Sequence, residues 1–153
     1  MLIVPTFAVG RAQQLLHLIS RLKHSRAIPP VPVYLNSPMA VDATRLWLRH
    51  RDEHRLSASD CAALHDAARI VNSPQESREL NARKGPMVIL AGSGMATGGR
   101  VLHHLKAFGP DSRNAILLTG YQAGGTRGAA LAAGAPFLRI HGEDVPIRAE
   151  VHQ

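Results

Sequence analysis

A glycine-rich stretch from Gly92 to Arg100 offers the clearest chemistry in this sequence. It follows the apolar run 87–91 and precedes the amphipathic run 101–105, an order typical of a strand, a turn and the start of a helix. Glycines remove the side chains that would keep an anion away, and backbone N–H groups at a helix start favour negative charge. Arg100 adds a planar guanidinium that suits phosphate. The stretch therefore predicts a phosphate site.

The glycine spacing does not match the common nucleotide motifs. Gly92, Gly94 and Gly98 give G-x-G-x-x-x-G, and no acidic residue follows a second strand at the offset of a dinucleotide site. No lysine completes a P-loop. A tight turn that merely packs a strand on a helix is the alternative interpretation.

The stretch from His50 to His54 matches H-x-x-E-H, in which two histidines on one helical face bind zinc in some metalloproteases. It follows the last apolar residue of its predicted helix and lies in a dense run of charges. A catalytic zinc helix needs buried surroundings, so we interpret this stretch as a solvated helix end. A metalloprotease is the alternative, and it predicts bound zinc.

Other polar residues give little catalytic chemistry. Adjacent His103 and His104 point about 100° apart on a helix, so one is expected to face the loops and the other to pack. Tyr121, in a second glycine-rich stretch, fits stacking on a base or packing as an anchor. Between residues 86 and 142 the only acid is Asp111. Without paired carboxylates or a nucleophile beside a base, we predict no catalytic residue and no metal site in this chain.

Alternating strands and helices must position these residues. We predict strands at 2–4, 33–35, 87–91, 115–119, 137–140 and 145–151, a helix from Ser57 carrying apolar residues to Val71, and one helical turn around 76–80. This order predicts an α/β fold with three layers, a largely parallel Rossmann-like sheet flanked by helices. Ligands gather beyond the carboxyl ends of such strands. Four loops should share that edge: 6–11, 36–39, 92–100 and 120–128.

The composition limits the class of protein and of partner. A chain of 153 residues with 45% hydrophobic residues fits one soluble domain. Its net charge of +7 favours an anionic partner, nucleic acid first, with a membrane surface or an acidic protein as alternatives. The single cysteine, Cys61, leads us to expect a reducing, cytoplasmic location. No signal peptide or membrane span is recognisable, and the early start of a core-like strand suggests a piece of a longer protein.

Four blocks in order resemble the beta-CASP family, the metallo-beta-lactamase-fold nucleases that process RNA or DNA, and most of all the bacterial and archaeal relatives of the mRNA 3'-end cleavage factor. The blocks are Pro5-Thr6-Phe7-Ala8-Val9-Gly10-Arg11-Ala12-Gln13, Ser37-Pro38-Met39-Ala40, Gly92 to Arg100, and Gly120-Tyr121-Gln122-Ala123-Gly124-Gly125-Thr126-Arg127-Gly128. The resemblance implies that residues 1–153 form one beta-CASP domain, a cap that closes over a cleft holding two zinc ions. The catalytic domain, with its His-x-His-x-Asp-His ligands, is absent from this chain.

The resemblance also implies a function. The chain is expected to clamp RNA, or single-stranded DNA, for a zinc-dependent ribonuclease, to dock on the metallo-beta-lactamase domain of the same parent protein, and to be inactive alone. The candidate nucleic-acid or phosphate-binding residues are Arg11, Ser37, Ser93, Gly94, Gly98, Arg100, Tyr121, Thr126 and Arg127. Asn36 stands where many relatives have Asp, and His141 resembles a catalytic His-Gly-Glu block but is interpreted as a turn residue. A free-standing module that binds a nucleotide or sugar phosphate at Gly92 to Arg100 is the alternative function.

Overall fold

A computed structural model describes residues 1–153 as eight strands and six α-helices. The strands are β1 Leu2–Pro5, β2 Val33–Asn36, β3 Arg69–Ile70, β4 Val88–Ala91, β5 Ala115–Leu117, β6 Phe137–Ile140, β7 Glu143–Pro146 and β8 Glu150–His152. The helices are α1 Arg11–His24, α2 Pro38–Arg49, α3 Ala58–His65, α4 Pro74–Ala82, α5 Val101–Phe108 and α6 Arg127–Ala132, with a 3-10 turn at Arg51–Glu53. None of these helices has the length and apolar character needed to cross a bilayer.

Six strands form one sheet in the order β3-β2-β4-β1-β5-β8, and every neighbouring pair is parallel. The central strand β4 is buried along its whole length, and its Ile89 lies opposite Ile3 of β1. Parallel pairing requires crossover connections, whose helices cover both faces of the sheet. The predicted α/β fold with a parallel sheet flanked by helices is confirmed.

Two hydrophobic cores lie on the two faces of the sheet. Successive strand residues point to opposite faces, so Ile3 and Ile89 join a core of 19 buried residues while Val4 and Leu90 join a second core of 11. The helices divide accordingly: Leu16 of α1, Val41 of α2 and Leu64 of α3 pack in the smaller core, and Leu80 of α4, Leu105 of α5 and Leu131 of α6 in the larger. This division makes the three layers.

The carboxyl-terminal part differs from the prediction. A single strand over 145–151 is wrong, because β6 and β7 form an antiparallel hairpin outside the main sheet and β8 pairs with β5. The hairpin turn has positive φ at His141 (49°) and Gly142 (82°), the backbone that a two-residue hairpin loop favours. His141 is therefore a turn residue, as predicted. After β7 the N–H of Arg148 donates to Gly109 O at 2.8 Å, which returns the chain to the main sheet.

The segment between α2 and β4 also differs from the prediction. A helix reaching Val71 is wrong, since α3 ends at His65 and residues 69–70 form the edge strand β3. Ile70, a β-branched residue, pairs with Leu35 of β2 instead of continuing the helix. The helical turn predicted around 76–80 is confirmed and extends over nine residues as α4.

Candidate nucleic-acid interface

Four loops meet at the carboxyl edge of the sheet, where β1, β2, β4 and β5 end near one another. The loops after β1, β2 and β4 line a cavity of about 490 Å³. The loop after β5 joins them through Gln122, whose Nε2 donates to Gly94 O at 3.1 Å, and through Gly128, whose N–H donates to Met95 O at 2.9 Å. The prediction that these loops share one edge is confirmed.

Some glycines of the loop after β4 are required for close packing, and others leave space beside the backbone. A Cβ on Gly94 would lie 2.6 Å from Phe7 Cδ2, and a Cβ on Gly99 would lie 2.6 Å from Gly92 O. Gly99 also has a φ of 74°, which disfavours any other residue. A Cβ on Gly98 would meet no atom within 4 Å. The tight-turn interpretation therefore accounts for Gly94 and Gly99 but not for Gly98.

Some backbone N–H groups of this loop remain available to a ligand. Ser93 Oγ accepts from the N–H of Gly98 at 3.4 Å, so that amide is satisfied within the loop. The N–H groups of Gly99 and Arg100 donate to no protein acceptor, and both residues line the cavity. An anion in the cavity could accept from them without displacing an internal hydrogen bond.

Arg100 lies just before α5, and its guanidinium holds neighbouring loops together. Nη1 donates to Asn36 Oδ1 at 2.7 Å and to Val71 O at 2.9 Å, while Nη2 donates to Asn72 O. These acceptors are all neutral, so no carboxylate in this set compensates the charge of the guanidinium. Arg100 therefore positions the neighbouring loops. We predicted that its guanidinium would donate hydrogen bonds to phosphate, but these donors are used within the protein, so Arg100 would attract an anion through its positive charge.

A buried hydrogen-bond chain continues from Arg100 through Asn36. Because a guanidinium only donates, Oδ1 of Asn36 must face Arg100 and its NH₂ group must face inward. Nδ2 donates to Ser77 Oγ at 2.8 Å and to His104 Nε2 at 2.7 Å. Nε2 of His104 is then an acceptor, and its Nδ1–H donates to Asn81 Oδ1 at 2.6 Å. This chain requires a neutral imidazole.

His104 is fully buried, as expected for one of the two adjacent histidines. Burial first, and then the nearby charges of His103 and Arg100, lower the pKa of His104 from 6.5 to about 4. His103 does not face the loops. It is exposed and lies against His141, with ring centroids 4.7 Å apart. The residue types alone did not predict the network of Asn36, Ser77, Asn81 and His104, although a polar residue that ends a buried strand is a usable signal.

Thr126 and Arg127 lie outside the cavity, at the start of α6. Thr126 caps this helix: its Oγ1 accepts from Ala129 N–H at 3.1 Å. The Arg127 guanidinium donates to Arg139 O at 2.5 Å and to Thr97 O at 3.2 Å. It thus joins the β6–β7 hairpin to the loop after β4, and it has no acidic partner among these contacts.

The remaining predicted residues occupy different positions around this edge. Ser37 is buried and caps α2, its Oγ accepting from Ala40 N–H at 3.3 Å. Arg11 begins α1, and its Nη1 donates to Gln14 Oε1 at 2.8 Å. Tyr121 is 78% exposed, which excludes the packing-anchor alternative and leaves its ring accessible to a flat ligand.

Exposed apolar side chains surround the same edge. Val9 and Met39, in the loops after β1 and β2, are 73% and 69% exposed, and the ring of Phe7 is partly exposed. Together with Tyr121 they give the loops an apolar surface in addition to their amides. The predicted site residues did not include this surface. Apolar and aromatic groups of this kind bind the faces of bases or a partner protein.

The H-x-x-E-H stretch does not form a zinc helix. α2 ends at Arg49, His50 is its C-cap residue, and His54 is extended and stacks on Trp47 with ring centroids 4.0 Å apart. The interpretation as a helix end is therefore correct. No three His, Cys, Asp or Glu side chains lie close enough together to hold a metal ion. The donors in this chain do not fit a zinc site.

Comparison with known proteins identifies the domain. A family model described as the Beta-Casp domain matches residues 12–131. The chain belongs to the beta-CASP family. The resemblance of the four sequence blocks is thus confirmed, and with it the membership in a domain family of RNA-processing nucleases with the metallo-beta-lactamase fold.

Relatives match the beta-CASP chain over nearly its whole length. It is 43% identical over 157 residues to ribonuclease TTHA0252 from Thermus thermophilus, a match that covers 98% of this chain and 36% of the relative. It is 34% identical over 148 residues to transcription termination factor FttA from Methanosarcina mazei, covering 93% and 23%. It is 31% identical over 159 residues to an RNase J-like protein from Methanocaldococcus jannaschii, covering 97% and 35%. The chain therefore spans only about a quarter to a third of these relatives.

Proposed function

We propose that this chain is the nucleic-acid-clamping cap of a metal-dependent ribonuclease, whose catalytic metallo-beta-lactamase domain belongs to the same parent protein. The proposal rests on the chemistry of the four loops at the carboxyl edge of the sheet, residues 6–11, 36–39, 92–100 and 120–128, which we call the loop edge. The loop edge presents free amides at Gly99 and Arg100, guanidinium groups that bind neutral acceptors instead of carboxylates, and an exposed Tyr121, and its four loops contain no Asp or Glu. Such an edge attracts and holds a phosphodiester chain without containing groups to cleave it.

In this proposal each group has a limited role. The free amides and Arg11 contact phosphate oxygens, Tyr121 stacks on a base, and Arg100 and Arg127 supply positive charge while they hold the loops in place. Phosphate contacts carry no sequence information, so many sequences should bind, and RNA is favoured over single-stranded DNA because of the relatives' names.

Catalysis is assigned to the other domain of the parent protein. The two zinc ions proposed for that domain would supply hydrolytic chemistry, and the donors of the present chain do not fit them. We therefore expect this chain to have no nuclease activity on its own. We also propose that the parent protein is cytoplasmic.

The test compares two exposed aromatic residues by fluorescence anisotropy with a labelled single-stranded RNA. Tyr121→Ala should weaken binding by roughly tenfold, since stacking on an aromatic residue contributes about 1–3 kcal/mol per base. Phe137→Ala is the matched aromatic control. Phe137 is 58% exposed and lines a cavity with Thr126 and Arg127, but it lies on the β6–β7 hairpin and outside the four loops. Equal affinity of the Tyr121→Ala variant and the wild type, or equal losses in both variants, would contradict the proposal.

A small-ligand module is the second candidate, because a cavity of about 490 Å³ fits a nucleotide or a sugar phosphate. Calorimetric titration with ATP and with ribose 5-phosphate separates the two functions. Saturable micromolar binding of either compound, together with RNA binding that is absent or insensitive to salt, would favour the module over the clamp.

A further inference from the structure

Most of the net positive charge lies far from the loop edge. We call the last turns of α1 to α5, the connections that follow them, and residues 147–149 the amino edge. All of these connections except the one from α2 to α3 lead into the amino end of a strand, and in that one Arg51 lies beside His65 and Asp66, which lead into β3. Eleven of the 18 Lys and Arg residues lie there: Arg21, Lys23, Arg26, Arg49, Arg51, Arg55, Arg83, Lys84, Lys106, Arg113 and Arg148. Only five of the 11 acids lie there: Asp52, Glu53, Asp66, Glu79 and Asp111. The rest of the chain is close to neutral.

The amino edge is continuous across neighbouring strands. The connections into β2, β4 and β5 lie close together because these strands follow one another with only β1 between them. Arg83, Lys84 and Arg113 line one cavity of about 590 Å³. The connection into β8 extends this surface, since Arg148 N–H donates to Gly109 O at 2.8 Å.

Many of these cations are free to meet an external anion. Arg26, Arg49, Arg55 and Lys84 are exposed, and their side chains make no hydrogen bond or ion pair within the protein. Two of the eleven cations bind acids: Nη2 of Arg113 lies 2.7 Å from an oxygen of Asp111, and Nζ of Lys106 lies 2.7 Å from an oxygen of Glu143 on β7. Because the four exposed side chains have no partner within the protein, no internal hydrogen bond or ion pair has to break when they bind phosphate.

The chemistry of the amino edge fits a phosphodiester backbone better than a protein. Eight of the eleven cations are arginines, whose planar donors match phosphate oxygens. No exposed aromatic residue accompanies them, since Phe7, Tyr121 and Phe137 lie elsewhere, and the only large apolar side chains exposed at this edge are Leu22 and Leu46. Protein interfaces usually have an aromatic or apolar centre, and backbone-binding nucleic-acid surfaces do not need one.

We propose that the amino edge is a second RNA-binding surface, which holds the sugar-phosphate backbone at the end of the strands opposite the glycine loops. It acts by charge, without base stacking, and it does not depend on whether the loop edge binds RNA. When both edges bind, one RNA long enough to pass across the domain is held at two places, which raises affinity through the linked second contact.

Two triple variants with equal charge loss test this proposal. Arg26→Gln/Arg55→Gln/Lys84→Gln neutralises three exposed cations on three different connections of the amino edge. Arg69→Gln/Arg78→Gln/Arg139→Gln neutralises three exposed arginines elsewhere. Binding of a labelled single-stranded RNA of about 30 nucleotides is followed by anisotropy from about 50 to 200 mM salt, where phosphate contacts dominate the salt response. Circular dichroism verifies that each variant is folded.

The amino-edge variant should lose about tenfold in affinity at low salt, and its slope of log K against log salt should fall by about two, at about 0.7 per lost contact. The control should lose much less. Equal losses in the two variants, or no loss in the amino-edge variant, would overturn the proposal. Binding of polyglutamate that depends on the same three cations, with RNA binding unchanged, would identify an acidic protein as the partner and overturn it too.

A second measurement leaves the amino edge itself unaltered. RNA should slow the acetylation of Lys23 and Lys84 several-fold, as measured by mass spectrometry, and the same protection should persist in Tyr121→Ala. Unprotected lysines at saturating RNA would contradict the amino-edge surface. Protection with unchanged RNA affinity of Tyr121→Ala would support the amino edge while contradicting the loop-edge clamp, so the two proposals fail separately.

Discussion

At the scale of single residues, Asn36 and His104 show how a buried site depends on hydrogen-bond direction. Arg100 fixes the amide of Asn36, the amide fixes the tautomer of His104, and burial keeps the imidazole neutral. An unfolded chain has an ordinary histidine pKa near 6.5, so it binds a proton between pH 6.5 and 4 that the folded chain does not. Acidification through this range must favour unfolding.

We therefore predict that the free energy of unfolding is highest above pH 6.5. Proton binding to His104 in the unfolded chain should lower it by on the order of 3 kcal/mol as the pH drops to 4. Urea denaturation at several pH values measures this dependence. A stability that is constant or rises on acidification from pH 6.5 to 4 would contradict the neutral, buried state of His104.

Asn36→Asp tests the same network from the other side. A carboxylate at position 36 would accept from Arg100 and favour a protonated Nε2 on His104, so the pKa of His104 should rise well above 4. NMR titration of the His104 ring gives the pKa directly. A His104 pKa that stays near 4 in the variant would show that the two side chains are not coupled.

At the scale of elements, the loop after β4 packs against the loop after β1 through Gly94 and Phe7. Gly94→Ala should destabilise the protein by roughly 1–3 kcal/mol, because the added Cβ would lie 2.6 Å from the Phe7 ring. Gly98→Ala is the matched control, since its Cβ meets nothing within 4 Å and its φ is not positive. Urea denaturation that ranks the two variants equally would contradict this packing.

The sequence predicts elements where the pattern is local. The run 87–91, its glycine loop and α5 follow from periodicity and turn residues, and the parallel order then brings four loops to one edge. The pattern did not separate β7 from β8, because the Arg148 amide finds its acceptor at Gly109, far away in sequence. It also missed β3, whose strand exists only through pairing with β2. Similarly, Arg100 points to phosphate by its type alone, whereas its acceptors come from Asn36, Val71 and Asn72.

At the scale of the whole molecule, charge and loop chemistry are separated. The net charge of +7 favours an anionic partner without saying where on the molecule that partner binds. The fold instead places most of the excess charge at the amino edge and the free amides and Tyr121 at the carboxyl edge. This separation fits a domain that is crossed by a long polyanion more than one that encloses a small ligand.

NMR mapping tests whether the carboxyl-edge loops bind nucleic acid, as we propose. Titration of the ¹⁵N-labelled chain with a short single-stranded RNA should shift the amides of Gly99, Arg100 and Tyr121, with smaller changes in the β6–β7 hairpin. Saturating RNA that leaves these three amides unshifted would contradict this proposal.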